Sequence, residues 1–193
     1  MPLPDPLATI ADEILDHLRG EGSPPPYSLY VYEPEAELAV RREMQDLKGF
    51  LTANQINVAA VSLATLLWEA IDDSGFYDSI LESEQDSPND PWVLEQVRGS
   101  LHEILNEPPT LADRVIAAVD GQQDNTAVLL YRAGALYPVF RTSSLLDDLR
   151  ERLRRPVLLL YPGHVVEPFG LRFMGKCEPT HSYRAKIYRR NSL

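Results

Sequence analysis

The chain has 193 residues, 44% of them hydrophobic and 24% charged, and a formal net charge of −11. This fits one globular domain of ordinary to large size that can bury its core without help. The lone Cys177 excludes a disulfide framework, and four scattered histidines leave no zinc constellation.

Residues 1–6 (MPLPDP) lack the basic and apolar regions of a signal peptide, and no apolar run is long enough to span a bilayer. The expectation is a cytoplasmic protein without membrane contact. From Leu7 to Leu18, Ile10, Ile14 and Leu18 recur every four residues between acids, which predicts an amphipathic helix ending at Gly20. Tyr27–Tyr32 is β-branched and aromatic enough for a strand. Pro34 then opens a helix to about Ala53, with Glu33, Glu35 and Glu37 at the positive end of its dipole.

Asn57–Leu63 predicts a second strand and Ala64–Asp72 a helix that breaks near Gly75 and resumes to Glu84. Trp92–Leu105 and Leu111–Val119 predict two more helices, separated by Pro108-Pro109-Thr110. Thr126–Tyr131 (TAVLLY) and Pro156–Tyr161 (PVLLLY) read as strands buried on both faces. Between them Thr142 or Ser143 is placed to cap a helix through Arg154.

Alternating strands and helices make parallel βαβ units the natural architecture. The expected fold is a single α/β domain over residues 1–193, a mostly parallel sheet flanked by helices in a Rossmann-like three-layer arrangement. If the last two strands are neighbours, the loops after Tyr131 and Tyr161 and Arg141 should converge beyond their carboxyl ends, where such sheets bind ligands and partners.

Charge divides the chain. Residues 1–120 hold 23 acidic and 6 basic side chains, whereas residues 121–193 hold 6 acidic and 12 basic. The second part is therefore expected to meet acidic partners.

The motifs that carry chemistry are thin. Gly170–Lys176 has the spacing of a phosphate-binding loop, but Cys177 replaces the hydroxyl residue, the interior is bulky, and Glu178-Pro179 follows where a helix should start. A strand or turn with Phe173 and Met174 packed inward is the expectation there. His164 stands where a catalytic imidazole would, with Glu167 as its nearest acid in sequence, but no nucleophile motif accompanies it. His17, His102 and His181 read as ordinary residues. Asp78, Glu82, Glu84, Asp86 and Asp90 lack calcium-loop spacing and read as a solvated or partner-facing patch. No cofactor or metal is expected. Basic residues at Arg150–Arg155 and Arg184–Arg190 could touch phosphates, yet the overall acidity and the lack of a DNA-binding motif disfavour nucleic acid.

Several segments in order resemble the BrxB family, small accessory proteins of BREX (bacteriophage exclusion) systems. They are Gly134-Ala135-Leu136-Tyr137-Pro138-Val139-Phe140-Arg141, Ser144-Leu145-Leu146 with its helix, Pro156–Tyr161 with Pro162-Gly163, Leu171-Arg172-Phe173, and Tyr183-Arg184-Ala185. The resemblance is closest over about Val128–Tyr188. It departs at Thr142-Ser143-Ser144, where the family commonly has a histidine, and at His164-Val165-Val166, where another tyrosine with Asp and Gly is common.

The resemblance implies a non-enzymatic adaptor or scaffold in a defence complex that methylates host DNA and blocks phage replication. Its implied partner is the phosphatase-like PglZ component, in an assembly with a methyltransferase and a large ATPase. The expected contact surface comprises Tyr137, Arg141, Tyr161, Arg172, Tyr183 and Arg184. The rival readings are a diverged nucleotide- or phosphate-handling enzyme centred on His164 and Lys176, and a DNA-binding accessory module using the basic C-terminal segment. The sequence assigns no oligomeric state.

Overall fold

A computed structural model describes residues 3–20, 25–87, 90–167, 170–179 and 183–191. Among these the strands are β1 (Tyr27–Tyr32), β2 (Asn57–Ser62), β3 (Thr126–Tyr131), β4 (Val157–Val166), β5 (Gly170–Phe173) and β6 (Lys186–Arg189). The helices are α1 (Leu7–Leu18), α2 (Glu37–Ala53), α3 (Leu63–Ser74), α4 (Tyr77–Asp86), α5 (Pro91–Asn106), α6 (Leu111–Val119) and α7 (Thr142–Arg152). Short 3₁₀ turns at Pro34–Ala36 and Ala133–Leu136 precede α2 and follow β3.

The sheet order is β2-β3-β4-β1-β6 with every pair parallel, and β5 folds back antiparallel on the outer half of β4. The two-residue period of a strand sends alternate side chains into two cores. Leu29 and Val31 of β1, Val128 and Leu130 of β3, and Val157, Leu159 and Tyr161 of β4 pack against α3, α6 and α7. Tyr30, Tyr32, Ala127, Leu129, Leu158 and Leu160 pack against α1 and α2 on the opposite face. The result is the expected three-layer α/β domain with a mostly parallel sheet. Burying each leucine of the Leu158–Leu160 run contributes about 1.5–3 kcal/mol, which makes β4 the centre of the core.

Three expectations need correction. Pro162-Gly163-His164 is not a loop after β4 but part of it. Gly163 to Val166 pair with Phe173 back to Gly170, and the Pro162 carbonyl accepts from Met174 N–H at 2.9 Å. Neither Thr142 nor Ser143 caps α7: Arg141 is its N-cap residue without a side-chain cap bond, and the helix stops at Arg152. The Thr142 hydroxyl is turned instead to Tyr183. Leu63 starts α3 rather than ending β2, with the Ser62 hydroxyl accepting from Thr65 N–H at 3.2 Å.

Strand β6, unforeseen in the sequence, closes one edge of the sheet and ties basic residues back to the acidic half. Lys186 pairs with Glu13 at 2.7 Å and Arg190 with Glu43 at 2.8 Å, while Arg152 pairs with Asp113 at 2.6 Å. Much of the charge division in the sequence is thus answered within the fold. Helices α4 and α5 are peripheral: no described residue of α4 is buried, and Leu105 is the buried residue of α5.

Candidate functional site

Because β3 and β4 are neighbours, the segments that follow them meet. A Cβ on Gly134 would lie 3.6 Å from the Pro162 ring and 3.2 Å from the Met174 sulfur, so the segment after β3 lies against these two side chains. The fold-back of β5 depends on Gly163. A Cβ there would run into the Arg172 carbonyl oxygen and come within 2.8 Å of the Tyr161 ring.

This close approach builds a wall of rings. Tyr137 meets Phe173 edge-on (6.3 Å between centroids), Phe173 meets Tyr161 (5.2 Å), and Tyr161 meets Tyr183 edge-on (5.7 Å). Such tilted pairs suit the ring quadrupoles. The Thr142 hydroxyl and the Tyr183 hydroxyl share a 3.0 Å hydrogen bond, and Tyr183 donates weakly to Tyr161 at 3.5 Å. Burial raises the pKa of both the Tyr183 and Tyr161 hydroxyls, which keeps them in the neutral form.

In front of this wall lies a cavity of about 420 Å³, lined also by Arg98, Arg141, Lys176, Cys177 and Glu178. Burial pushes the Cys177 thiol up, against the pull of nearby Arg141 and Arg98. The thiol is thus protonated near neutral pH and is a poor nucleophile.

Of the expected contact residues, the fold brings Tyr137, Arg141, Tyr161 and Tyr183 together here. Arg141 is exposed and has no side-chain hydrogen bond or ion pair among the described residues. Tyr161 is fully buried (0%), so it supports the wall and presents no surface. Arg172 is exposed on β5, across from His164, and Arg184 is exposed just before β6; neither lines the cavity.

His164 Nδ1 lies 2.7 Å from Glu33 Oε2, whereas Glu167 pairs with Arg189. The Gly170–Lys176 run is β5 followed by a tight turn in which Gly175 has φ +67 and abuts the His164 ring. The N–H groups of Met174, Gly175, Lys176 and Cys177 donate to the carbonyls of Pro162, Arg172 and Phe173, so these four are not turned outward as a phosphate loop requires. Phe173 is buried as expected, while Met174 is half-buried on a left-handed turn. His102 donates from Nδ1 to the Val139 carbonyl at 2.9 Å and fixes the segment before Arg141. His181 lies outside the described residues, as does the side chain of Glu84. Among the described residues no group of three or more His, Cys, Asp or Glu side chains could hold a metal, and no helix is long and apolar enough to cross a membrane.

The sequence reading passed over an apolar groove beside the cavity, about 590 Å³ in volume, between α5 and the segment after β3. Leu67, Leu94, Val97, Leu101 and Val139 line it. The available signal was Leu94, an apolar residue off the four-residue spacing of Val93, Val97, Leu101 and Leu105. Arg132 was likewise not singled out. It holds a left-handed backbone (φ 58) directly after β3 and borders a shallow depression over the strand ends.

The fold and site define a three-layer α/β protein with a concave, ring-walled surface at the carboxyl edge of its sheet. Comparison with known proteins is specific about its kind. The family model for "BREX protein BrxB" matches residues 59–187, and the chain belongs to the BrxB family. It is also similar to the BREX protein BrxB of Bacillus cereus (strain H3081.97), at 23% identity over 182 residues that cover 93% of this chain and 91% of the relative. No solved structure matches. Membership of this family supports a role in BREX phage defence.

Proposed function

We propose that the chain is a non-enzymatic adaptor of a BREX assembly, associating with a PglZ-type component in host DNA methylation and phage restriction. The observation that carries this reading is Arg141, an exposed guanidinium unpaired among the described residues, at the mouth of a cavity walled by rings. A planar five-donor group beside aromatic walls is the composition that anchors protein interfaces. Arg172 and Arg184 are further contacts on the same reading, and Tyr161 acts only by supporting Tyr183. The rival phosphate-handling reading meets a turn at Met174–Cys177 whose four amides are already bonded to backbone carbonyls. The DNA-binding reading meets a basic tail whose Lys186, Arg189 and Arg190 already hold carboxylates.

The test is complementation of a host whose BREX system lacks this protein. Wild type is expected to restore phage exclusion and host methylation. Arg141→Ala is expected to restore neither, at normal abundance and with an unchanged melting temperature. Full restoration by the variant would remove Arg141 from the function.

A further inference from the structure

The ring-walled cavity and the apolar groove are adjoining halves of one surface. They share Arg98, Tyr137 and Pro138, so one extended segment lying along α5 can reach both. The two halves differ in chemistry. The groove is lined by Leu67, Leu94, Leu101 and Val139, and Leu94 is 44% exposed within it.

The cavity presents Arg98, Arg141 and Lys176 against Glu178. Arg98 is already engaged with Glu95 at 2.8 Å, which leaves Arg141 and Lys176 to receive an incoming charge. Both are exposed and have no side-chain partner among the described residues.

We infer that groove and cavity together form a docking site for a segment of a partner protein that carries apolar side chains followed by a carboxylate. This rests on the adaptor reading above and specifies the chemistry of its partner. The apolar side chains enter beside Leu94 and Leu101, and the carboxylate reaches Arg141 and Lys176, with Tyr137 beneath the junction. Charge complementarity selects this occupant over a nucleic-acid strand. A phosphate backbone would face Glu95 in the groove and Glu178 in the cavity, and its own anionic character needs an unbroken cationic track. Apolar anchors in a pocket, rimmed by a charge pair, are the usual source of affinity in such sites.

Cys177 makes the cavity directly readable, because it is the single cysteine of the chain and lines that wall. The experiment uses the intact chain and the purified PglZ-type protein of the same BREX system. Affinity is measured for wild type, Leu94→Glu, Lys176→Glu and, as a control on the opposite layer, the 71% exposed Leu38→Glu. Alkylation of Cys177 by iodoacetamide is followed with and without the partner at a pH of about 9, where more of this protonated thiol ionises. Leu94→Glu and Lys176→Glu are each expected to weaken binding at least about ten-fold with unchanged melts, Leu38→Glu to bind as wild type, and the partner to slow alkylation. Wild-type affinity in either groove or cavity variant, or unslowed alkylation in a complex that does form, overturns the docking site while the adaptor reading stands. Failure of the wild-type proteins to associate at all overturns both.

Discussion

Gly163→Ala tests how the site is built. In β4, Gly163 lies opposite Phe173 of the returning strand β5, and an added Cβ would sit 2.8 Å from Tyr161 Cε1 and against the Arg172 carbonyl oxygen. Neither obstacle is a flexible chain end: one is backbone and the other a fully buried ring. The methyl group can enter only if β5 lifts or Tyr161 rotates, and either opens the ring wall. Overpacking of this kind costs about 1–3 kcal/mol. For a domain of this size each kcal/mol shifts the melting temperature by about 2–4 °C, so a fall of about 2–12 °C is expected. Gly99→Ala in α5 is the matched control, because nothing lies within 4 Å of its added Cβ. A mid-helix alanine should raise stability by about 0.5–1 kcal/mol. Calorimetric melts give both values, and near-ultraviolet circular dichroism reports the tyrosine environment. Equal melts for wild type and Gly163→Ala, with an unchanged tyrosine signal, would refute this account of the fold-back.

Other perturbations probe the links between the two halves of the chain. Glu43 accepts from the Tyr30 hydroxyl at 2.7 Å and from Arg190, with less than a fifth of either charged side chain exposed. Glu43→Ala should therefore cost about 1–3 kcal/mol in urea unfolding, and Glu43→Gln less, whereas equal costs would place the loss in packing alone. Asp113 bonds to Arg152 and to Thr110, which hold its carboxyl below the ordinary range of 3.8. A depressed carboxyl stabilises the fold above its unfolded pKa and loses that contribution as pH falls through the folded one. The stability gap between wild type and Arg152→Ala should thus close as pH drops below about 4, and a gap constant with pH would contradict the pairing. Fluorescence anisotropy with duplex DNA should show no steeply salt-dependent binding, because the cations of β6 are engaged; a slope of several charges would revive the DNA reading.

Sequence periodicity exposed most of the fold, since the apolar strands and the four-residue helical spacings are local signals. It missed where local chemistry and tertiary context disagree. Pro162-Gly163 carries turn residues, yet Pro162 needs no donor of its own there, and Gly163 is what lets a second strand approach. Thr142 looked like a helix cap because capping is decided within three residues, but its hydroxyl is claimed by Tyr183, 41 positions away. Strand β6 (KIYR) shows little apolar alternation because it is an edge strand, and the carboxylates that pair its charges are Glu13 in α1 and Glu167 just after β4. The ring wall draws Tyr137, Tyr161, Phe173 and Tyr183 from separate segments, so its members could be named from the sequence but their stacking could not. Tyr161 shows the limit: the same aromatic that marks an interface in a sequence also fills a core.

The central claim is association, and co-purification tests it most directly. The chain and the PglZ-type protein of its own BREX system are co-expressed, one of them tagged, and passed through size exclusion. The account predicts a stable complex of defined stoichiometry that Arg141→Ala disrupts without altering the melt of the free chain. Separate elution of two well-folded wild-type proteins across a range of salt would contradict it.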